Sequence, residues 1–215
     1  MSVWGTGQLS LTKCIITIPS FIDPRDIRKV FGYLGANFNP LNDLTLLQTT
    51  PLDTLDFTSG KMNVGSKMGL NAVGDGREIS QDNFVEISIE DPRNKYNKIK
   101  DYRVINKNII IINSQFDPKL VSREIQESNI LENFKMIFIV GTDIKIHDDI
   151  DLVWGIFTRF DPTLDISFKN CDIKNSSVQF SGTMIIDATQ KDWYPKVLHM
   201  SPDIVDKVEK NWKNY

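Results

Sequence analysis

The sequence predicts an α/β protein: a three-layer α/β/α sandwich built on a mostly parallel or mixed sheet, with two related βαβ halves. Two observations lead to this fold class. Short β-branched segments alternate with amphipathic helical segments, and the order strand, helix, strand occurs twice. The 215 residues are 40% hydrophobic and 25% charged, which is ordinary for a globular protein and sufficient for one large domain.

The first half opens with a strand at residues 14–18, where the sequence is apolar and β-branched. Asp23-Pro24 then signals the start of a helix. The apolar residues of this helix fall on one face: Ile27, Val30, Phe31 and Leu34. Asn39-Pro40 ends the helix, and residues 44–47 form the next strand, so we expect a right-handed crossover between the two strands.

The same order returns in the second half without a gap, with a strand at 136–140, a helix at 148–160 and a strand at 166–168. Asp26 aligns with Asp148, and Asp43 aligns with Asp165. We interpret this pattern as an internal duplication. It predicts a first repeat at 1–80, a connecting strand and helix at 81–134, and a second repeat with a closing helix at 135–215, packed as one compact unit.

The connecting region is predicted to hold a buried strand at 108–113 and a helix at 117–133. Residues 74–76 and 90–101 have loop composition, and residues 84–89 alternate as a short edge strand does. Ser201-Pro202 begins the closing helix, whose inner face is predicted to carry Val205, Val208 and Trp212.

Composition excludes several classes of function. A net charge of -3 gives no basic field for nucleic acid and at most a peripheral membrane contact. Cys14 and Cys171 form no zinc-type or disulfide framework. No signal peptide and no bilayer-spanning apolar run is present, so we expect a cytoplasmic protein.

No complete catalytic set occurs in the sequence, since the usual nucleophile, phosphate-loop and metalloprotease motifs are absent. The two histidines, His147 and His199, lie at helix entries, where solvated or capping roles are expected. Arg159 and Asp161 are expected to pair and fix a helix end. We therefore predict no catalytic residue and no metal ligand in this chain.

Three segments are candidates for binding. Residues 4–13 contain glycines and end at Lys13, which would hold a phosphate as a point charge; a frayed tail or a tail packed on a neighbour is the alternative. Residues 49–57 follow a strand end, where α/β sheets bind ligands, although a capped proline turn explains them as well. Residues 60–67 are predicted to be a flexible loop with a weak anion-binding pattern.

Taken together, these segments resemble a known family. The motif Thr50-Pro51-Leu52-Asp53-x-Leu55-Asp56-Phe57, followed by Gly65-Ser66-Lys67-Met68-Gly69-Leu70-Asn71-Ala72, is similar to the C-terminal signature of UbiD-type decarboxylases. The pattern Trp154-x-x-x-Thr158-Arg159-x-Asp161-Pro162-x-x-Asp165, with Ile186-Asp187-Ala188-Thr189 behind it, resembles a second copy. The second copy lacks the Pro-x-Asp-x-Leu-Asp-Phe element.

The resemblance implies reversible, non-oxidative decarboxylation of an aromatic or α,β-unsaturated acid with prenylated FMN, a divalent metal (Mn or Mg) and K. In that family the catalytic residues and metal ligands lie in an upstream flavin-binding domain. No cofactor is therefore expected to stay bound to this chain alone. The resemblance assigns Lys13 and Thr12 to the flavin phosphate. It assigns the substrate-pocket wall to Pro51, Leu52, Asp53, Leu55, Asp56, Phe57, Lys67 and Met68.

The leading hypothesis is a pocket-closing and oligomerisation domain of a carboxy-lyase of quinone biosynthesis, acting on 3-octaprenyl-4-hydroxybenzoate or a menaquinone precursor. Its expected partners are the upstream flavin-binding domain and further copies of itself in a homo-oligomer. Two alternatives stay open, a stand-alone module that binds a phosphorylated small molecule and a pure assembly scaffold.

Overall fold

The computed structural model describes residues 2–73, 89–128, 131–174 and 176–214. The strands are β1 Cys14–Thr17, β2 Leu44–Pro51, β3 Val64–Asn71, β4 Ile99–Asn106, β5 Ile109–Ser114, β6 Met136–Val140, β7 Ile166–Lys174 and β8 Ser177–Ala188. The helices are α1 Ile27–Asn37, α2 Pro40–Asp43, α3 Pro118–Ser128, α4 Asp149–Phe157 and α5 Pro202–Asn211.

The strands form two mixed sheets, one with the order β1-β3-β2 and one with the order β4-β5-β6-β8-β7. The pairs β1/β3, β5/β6 and β6/β8 are parallel, and the other pairs are antiparallel. The predicted α/β class is confirmed. Of the two sheet types predicted, the mixed one is observed, but the strands are divided between two sheets.

The expected crossover between the first two strands of each repeat is wrong. In both repeats the third strand inserts between the first two, parallel to the first and antiparallel to the second. β2 therefore runs against β1, and β7 runs against β6. The reason is that the second and third strands form an antiparallel hairpin, which needs no helical crossover.

The two repeats share one register. The paired positions are Cys14 with Met68 and Leu44 with Leu70 in the first repeat, and Met136 with Met184 and Ile166 with Ile186 in the second. Asp26 and Asp148 each cap the following helix by accepting backbone N–H groups of its first turn. Residues that correspond in the sequence alignment of the two repeats therefore occupy corresponding positions in the strand pairing.

The core joins both sheets. Phe31 of α1 packs edge-to-face on Phe138 of β6, with ring centroids 5.7 Å apart, in one cluster that also holds Met68 and Met184. A second cluster covers the other face of the five-stranded sheet beneath α3. β5 alternates between the clusters, which explains its unbroken run of isoleucines.

Several element boundaries differ from prediction. Within the described residues, α3 ends at Ser128, five residues before the predicted end at 133, and residues 131–133 form a turn. α4 ends at Phe157, because the Thr158 hydroxyl bonds to the Trp154 carbonyl at 2.6 Å and closes the helix. The first part of β4, up to residue 101, was predicted as loop. β4 is an edge strand with one solvated side, and because such a strand needs few apolar residues its composition resembles that of a loop. The loop predicted at 74–76 and most of the edge strand predicted at 84–89 lie outside the described residues.

The prediction that α5 buries an inner face is wrong. None of its residues is buried, and Val205 and Val208 are exposed, as is Trp212 in the turn that follows. Amphipathic spacing predicts the apolar stripe correctly but not what covers it. Among the residues described, no helix combines the length and apolarity needed to cross a membrane.

Candidate functional site

The segment before β1 is ordered against β3. It forms two short 3₁₀ turns, Val3–Gly5 and Gly7–Leu11, and the Trp4 indole N–H donates to the Thr12 carbonyl at 2.9 Å. A side chain at Gly69 of β3 would meet the Trp4 ring at 3.2 Å, so the glycine permits this contact. The frayed-tail alternative is therefore wrong. Thr12 is fixed through its backbone, directly before Lys13.

Lys13 is a nearly buried cation with three partners. Its ammonium lies 3.0 Å from the Asp56 carboxylate and 3.4 Å from the Thr58 hydroxyl, and 5.4 Å from the centre of the Phe160 ring. Only 9% of the side chain is exposed. Burial lowers the pKa of Lys13, and the Asp56 carboxylate opposes that shift. The ion pair joins the predicted phosphate residue to the predicted pocket wall.

The wall segment, defined here as residues 52–58, is a compact turn after the end of β2. Leu52 is buried and donates its N–H to the Asn63 carbonyl at 3.1 Å. Asp53 accepts from the Leu55 N–H, and Asp56 accepts from the Thr58 N–H, each at 2.9 Å. These bonds are the capped turn that the sequence left open as an alternative.

The wall segment presents apolar side chains to solvent. Leu55 is 82% exposed and Phe57 is 45% exposed, while Pro51 lies exposed at the end of edge strand β2. β2 carries a bulge between Leu47 and Thr50, with Thr49 at a positive φ of 52°. The bulge lies near the end of β2, shortly before the wall segment begins.

Lys67 does not belong to a flexible loop, as the sequence predicted for residues 60–67, and Met68 follows it in the same strand. Both lie in β3, the central strand of the first sheet. The glycines of β3 are typical of a loop, but the strand is buried because it pairs with β1 on one side and β2 on the other. Lys67 donates to the Ser10 carbonyl and is 4% exposed, and Met68 is fully buried in the core. Their assignment to the pocket wall remains a prediction.

A buried carboxylate joins the two repeats. Asp161 accepts hydrogen bonds from the Ser66 N–H at 3.0 Å, the Ser66 hydroxyl at 2.5 Å and the Thr163 N–H at 2.9 Å. The predicted pair of Arg159 with Asp161 is wrong, because the Arg159 guanidinium reaches Asp143 at 2.6 Å instead. The sequence contained one signal that Asp161 has a role of its own. In the alignment of the two repeats Asp161 corresponds to Asn39, so only the second repeat carries a charge at this position.

Two aromatic residues that sequence reasoning missed contact the wall segment. The Trp193 indole N–H donates to the Phe57 carbonyl at 3.2 Å. The Tyr194 hydroxyl lies 2.8 Å from the Arg159 carbonyl and 3.4 Å from the Thr58 carbonyl. Both follow β8 in the second repeat, so the first repeat's wall rests on the second repeat.

A cleft of about 360 Å³ opens beside Lys13. Lys13 is the charged residue of its lining, and the rest of the lining is Cys14, Ile16, Ile18, Pro24, Val30 and Phe157. Burial raises the pKa of the Cys14 thiol to about 12, so the thiol stays protonated and unreactive at neutral pH. The lining is otherwise apolar, and the Asp56 carboxylate that pairs with the Lys13 ammonium is not part of it.

The described part of the chain contains no group of three or more His, Cys, Asp or Glu residues arranged to hold a metal ion. His147 is two-thirds exposed and lies 3.1 Å from the Asp101 carboxylate, which fits the solvated role expected for it. Within the described residues, the site brings together a nearly buried ion pair of Lys13 with Asp56 and an exposed apolar turn.

The fold is α/β, and its strand order occurs twice. A lysine directly before the first strand is paired with a turn that follows the second strand. Together these features define the class as a duplicated α/β domain. The chain belongs to the family of 3-octaprenyl-4-hydroxybenzoate carboxy-lyase C-terminal domains, whose sequence pattern matches residues 1–72 and 106–188.

Relatives with curated sequences are longer. The chain is 24% identical to a 4-hydroxybenzoate decarboxylase polypeptide of Chlamydia pneumoniae over 217 residues, which covers 100% of this chain and 36% of that protein. It is 31% identical to an uncharacterized protein of Archaeoglobus fulgidus over 96 residues, 43% of this chain and 20% of that protein. The chain thus spans about a third of the length of the first of these relatives.

Two solved structures show partial similarity to this chain. The closed form of vanillic acid decarboxylase from Sedimentibacter hydroxybenzoicus is 18% identical, with a TM-score of 0.41 over 57% of this chain and 29% of that chain. An evolved dimeric form of HmfF from Pelotomaculum thermopropionicum, in complex with prFMN, is 18% identical, with a TM-score of 0.36 over 53% of this chain and 26% of that chain.

Proposed function

We propose that this chain is the C-terminal domain of a prenylated-FMN-dependent decarboxylase, in which it closes the substrate pocket and contributes to the oligomer. The observation that carries the proposal is the ion pair between Lys13 and Asp56, because it couples the residue assigned to the flavin phosphate with the segment assigned to the pocket wall. Family membership supports the assignment of both.

The residues present fit one end of the flavin. Lys13 lines an otherwise apolar cleft and would offer a point charge to the phosphate, and Thr12, directly before it, is fixed by the Trp4 indole N–H. When bound, prenylated FMN supplies the centre at which the bond to the carboxylate is broken. The ring system, the divalent metal and K need ligands and acid–base groups from an upstream domain.

The wall segment would contribute shape and exclusion of water. Leu55 and Phe57 turn apolar side chains outward, where an aromatic or unsaturated acid held by the upstream domain would pack against them. Asp56 would keep the Lys13 charge compensated while no phosphate is present. We propose an acid of quinone biosynthesis as the substrate, either 3-octaprenyl-4-hydroxybenzoate or a menaquinone precursor.

The test is decarboxylation of a 4-hydroxybenzoate-like acid and of a menaquinone-precursor acid, with prenylated FMN. The chain is assayed alone and then mixed with the upstream flavin-binding domain of its own enzyme. We expect turnover only in the mixture, because the acid–base groups and the pocket wall reside on different polypeptides. Size-exclusion chromatography is used to test whether the two proteins associate. No turnover by a folded, associated mixture would contradict the proposal for these substrates.

The cleft beside Lys13 favours one second candidate, a module that binds a phosphorylated small molecule on its own. This candidate predicts measurable affinity of the isolated chain for FMN or inorganic phosphate, and loss of that affinity in Lys13→Ala. Titration calorimetry distinguishes the two functions. Unchanged affinity in Lys13→Ala would argue against a module centred on this lysine.

A further inference from the structure

The wall segment is buried only at its ends. Leu52 and Thr58 are buried, whereas Asp53, Leu55 and Phe57 between them are exposed. On the side of the first repeat, Asp56 is held by Lys13. A turn with such an exposed middle depends on its hydrogen bonds for a fixed shape, because little apolar surface is buried within it.

Trp193 supplies an anchor on the opposite side. The Phe57 carbonyl accepts both the Gly60 N–H at 3.1 Å, which closes the turn, and the Trp193 indole N–H at 3.2 Å. Gly60 has a positive φ of 69°, and a Cβ built there would lie 3.3 Å from the indole nitrogen. The glycine therefore allows the indole ring to lie flat against the turn.

Tyr194 extends this anchor into the second repeat. Its hydroxyl donates to the Arg159 carbonyl at 2.8 Å, and the Thr58 carbonyl lies 3.4 Å away. Burial raises the pKa of Tyr194, with nearby carboxylates adding to the shift, so the hydroxyl keeps its proton and remains a donor. The Trp193 and Tyr194 rings pack edge-to-face with centroids 5.9 Å apart, which makes them one rigid unit.

We propose that Trp193 and Tyr194 are positioning residues that hold the wall segment in the shape that faces the substrate. The wall is thus clamped between Lys13 of the first repeat and an aromatic pair of the second. This inference rests on the proposed function for its meaning in catalysis. The clamp itself is a property of the chain alone.

The first measurement is hydrogen–deuterium exchange of the full chain as wild type, Trp193→Phe and Tyr194→Phe. Tyr194→Phe removes only the hydroxyl, and Trp193→Phe keeps a smaller aromatic ring without the N–H donor, so the fold should persist. We expect amides of residues 52–60 to exchange about 3- to 10-fold faster in each variant, because Trp193→Phe loses the hydrogen bond to the Phe57 carbonyl and Tyr194→Phe loses the hydroxyl that bonds to Arg159 and contacts the Thr58 carbonyl. Trp212→Phe is the matched control, because Trp212 is 70% exposed in the turn after α5.

Two results would overturn the clamp. One is that the amides of residues 52–60 exchange at the wild-type rate in both Trp193→Phe and Tyr194→Phe. The other is faster exchange throughout the chain together with a lower urea midpoint, which would indicate general destabilisation. Equal urea midpoints with faster exchange confined to the wall would support it.

The second measurement separates this inference from the proposed function. In the mixture with the upstream domain, Trp193→Phe should raise KM several-fold with little change in kcat, since a looser wall weakens substrate contact without touching the reacting atoms. An inactive wild-type mixture contradicts the proposed function, and the exchange data alone then decide whether the clamp exists. A lower kcat with unchanged KM would contradict a positioning role in binding.

Discussion

Arg159 is almost completely buried, and its guanidinium has two partners. Its guanidinium bonds to Asp143 at 2.6 and 3.1 Å and lies 5.4 Å from the centre of the Trp154 ring. An interior guanidinium without a partner is costly, so these contacts explain how a charged side chain occupies the interior beside the wall segment. Asp143 is half-exposed, which limits the strength of the pair by solvent screening.

Replacement of Asp143 by asparagine should destabilise the chain in a pH-dependent way. The Arg159 guanidinium holds the pKa of Asp143 below its usual value of 3.8. The carboxylate therefore contributes stability fully above that value, and the contribution is lost as the pH falls through the lowered pKa. We expect a loss of about 1 kcal/mol in the free energy of unfolding at pH 7.

The measurement is urea denaturation of wild type and Asp143→Asn between neutral and acidic pH. The difference between them should shrink as the pH falls below the usual aspartate value. Asp172→Asn is the control, because Asp172 is an exposed aspartate on β7. A difference that stays constant across this range would show that the charge of Asp143 is not responsible.

At this scale the sequence located single residues but not their partners. Lys13 and Asp56 were both selected from their motifs, yet their ion pair required the folding of distant segments. Asp161 was assigned to Arg159 two positions away, because a pattern favours close neighbours. Its actual partner, Ser66, comes from the other repeat.

Among the elements, glycine explains the error at β3. The loop predicted for residues 60–67 contains Gly65, but Gly65 and the later Gly69 of β3 are required by close approach rather than by a turn. The Trp4 ring lies against Gly69, and the Leu52 side chain lies against Gly65. Strands such as β5 and β6 were predicted from their unbroken apolar, β-branched runs, because their packing does not depend on a missing side chain.

Gly65→Ala should therefore destabilise the chain by roughly 1–3 kcal/mol, as overpacking does. A Cβ at this position would meet the buried Leu52 side chain and lie 3.0 Å from an Asp161 carboxylate oxygen. Urea unfolding followed by circular dichroism measures the loss. Gly5→Ala is the matched control, since nothing lies within 4 Å of a Cβ built there. Equal stability of the two variants would mean that the wall moves aside without cost.

At the scale of the molecule, the two repeats share one interior. Phe31 and Met68 of the first lie in the same cluster as Phe138 and Met184 of the second. The α/β class and the internal repeat were readable from the sequence, because both follow from local patterns. The division into two sheets was not, since it depends on which strand enters between two others.

A shared interior predicts that the chain unfolds in one cooperative transition. Tryptophan fluorescence and far-ultraviolet circular dichroism should give coincident urea curves, because the cluster that contains Phe31 and Phe138 is built from both repeats. Residues 1–73 expressed alone should not show a cooperative transition. Two separated transitions in the full chain, or a cooperative fragment, would show that the repeats are independent domains.

The bridge from Asp161 to Ser66 has a consequence for how such a chain can be inherited. The two partners of the bridge lie in different repeats, so the bridge makes the halves depend on each other. A recombination event that exchanged one half alone could remove the Ser66 donors and leave the buried carboxylate with only the donors of its own half. Viable genetic exchange should therefore move both halves together, and a natural shuffled chain should carry compensating changes at these two positions.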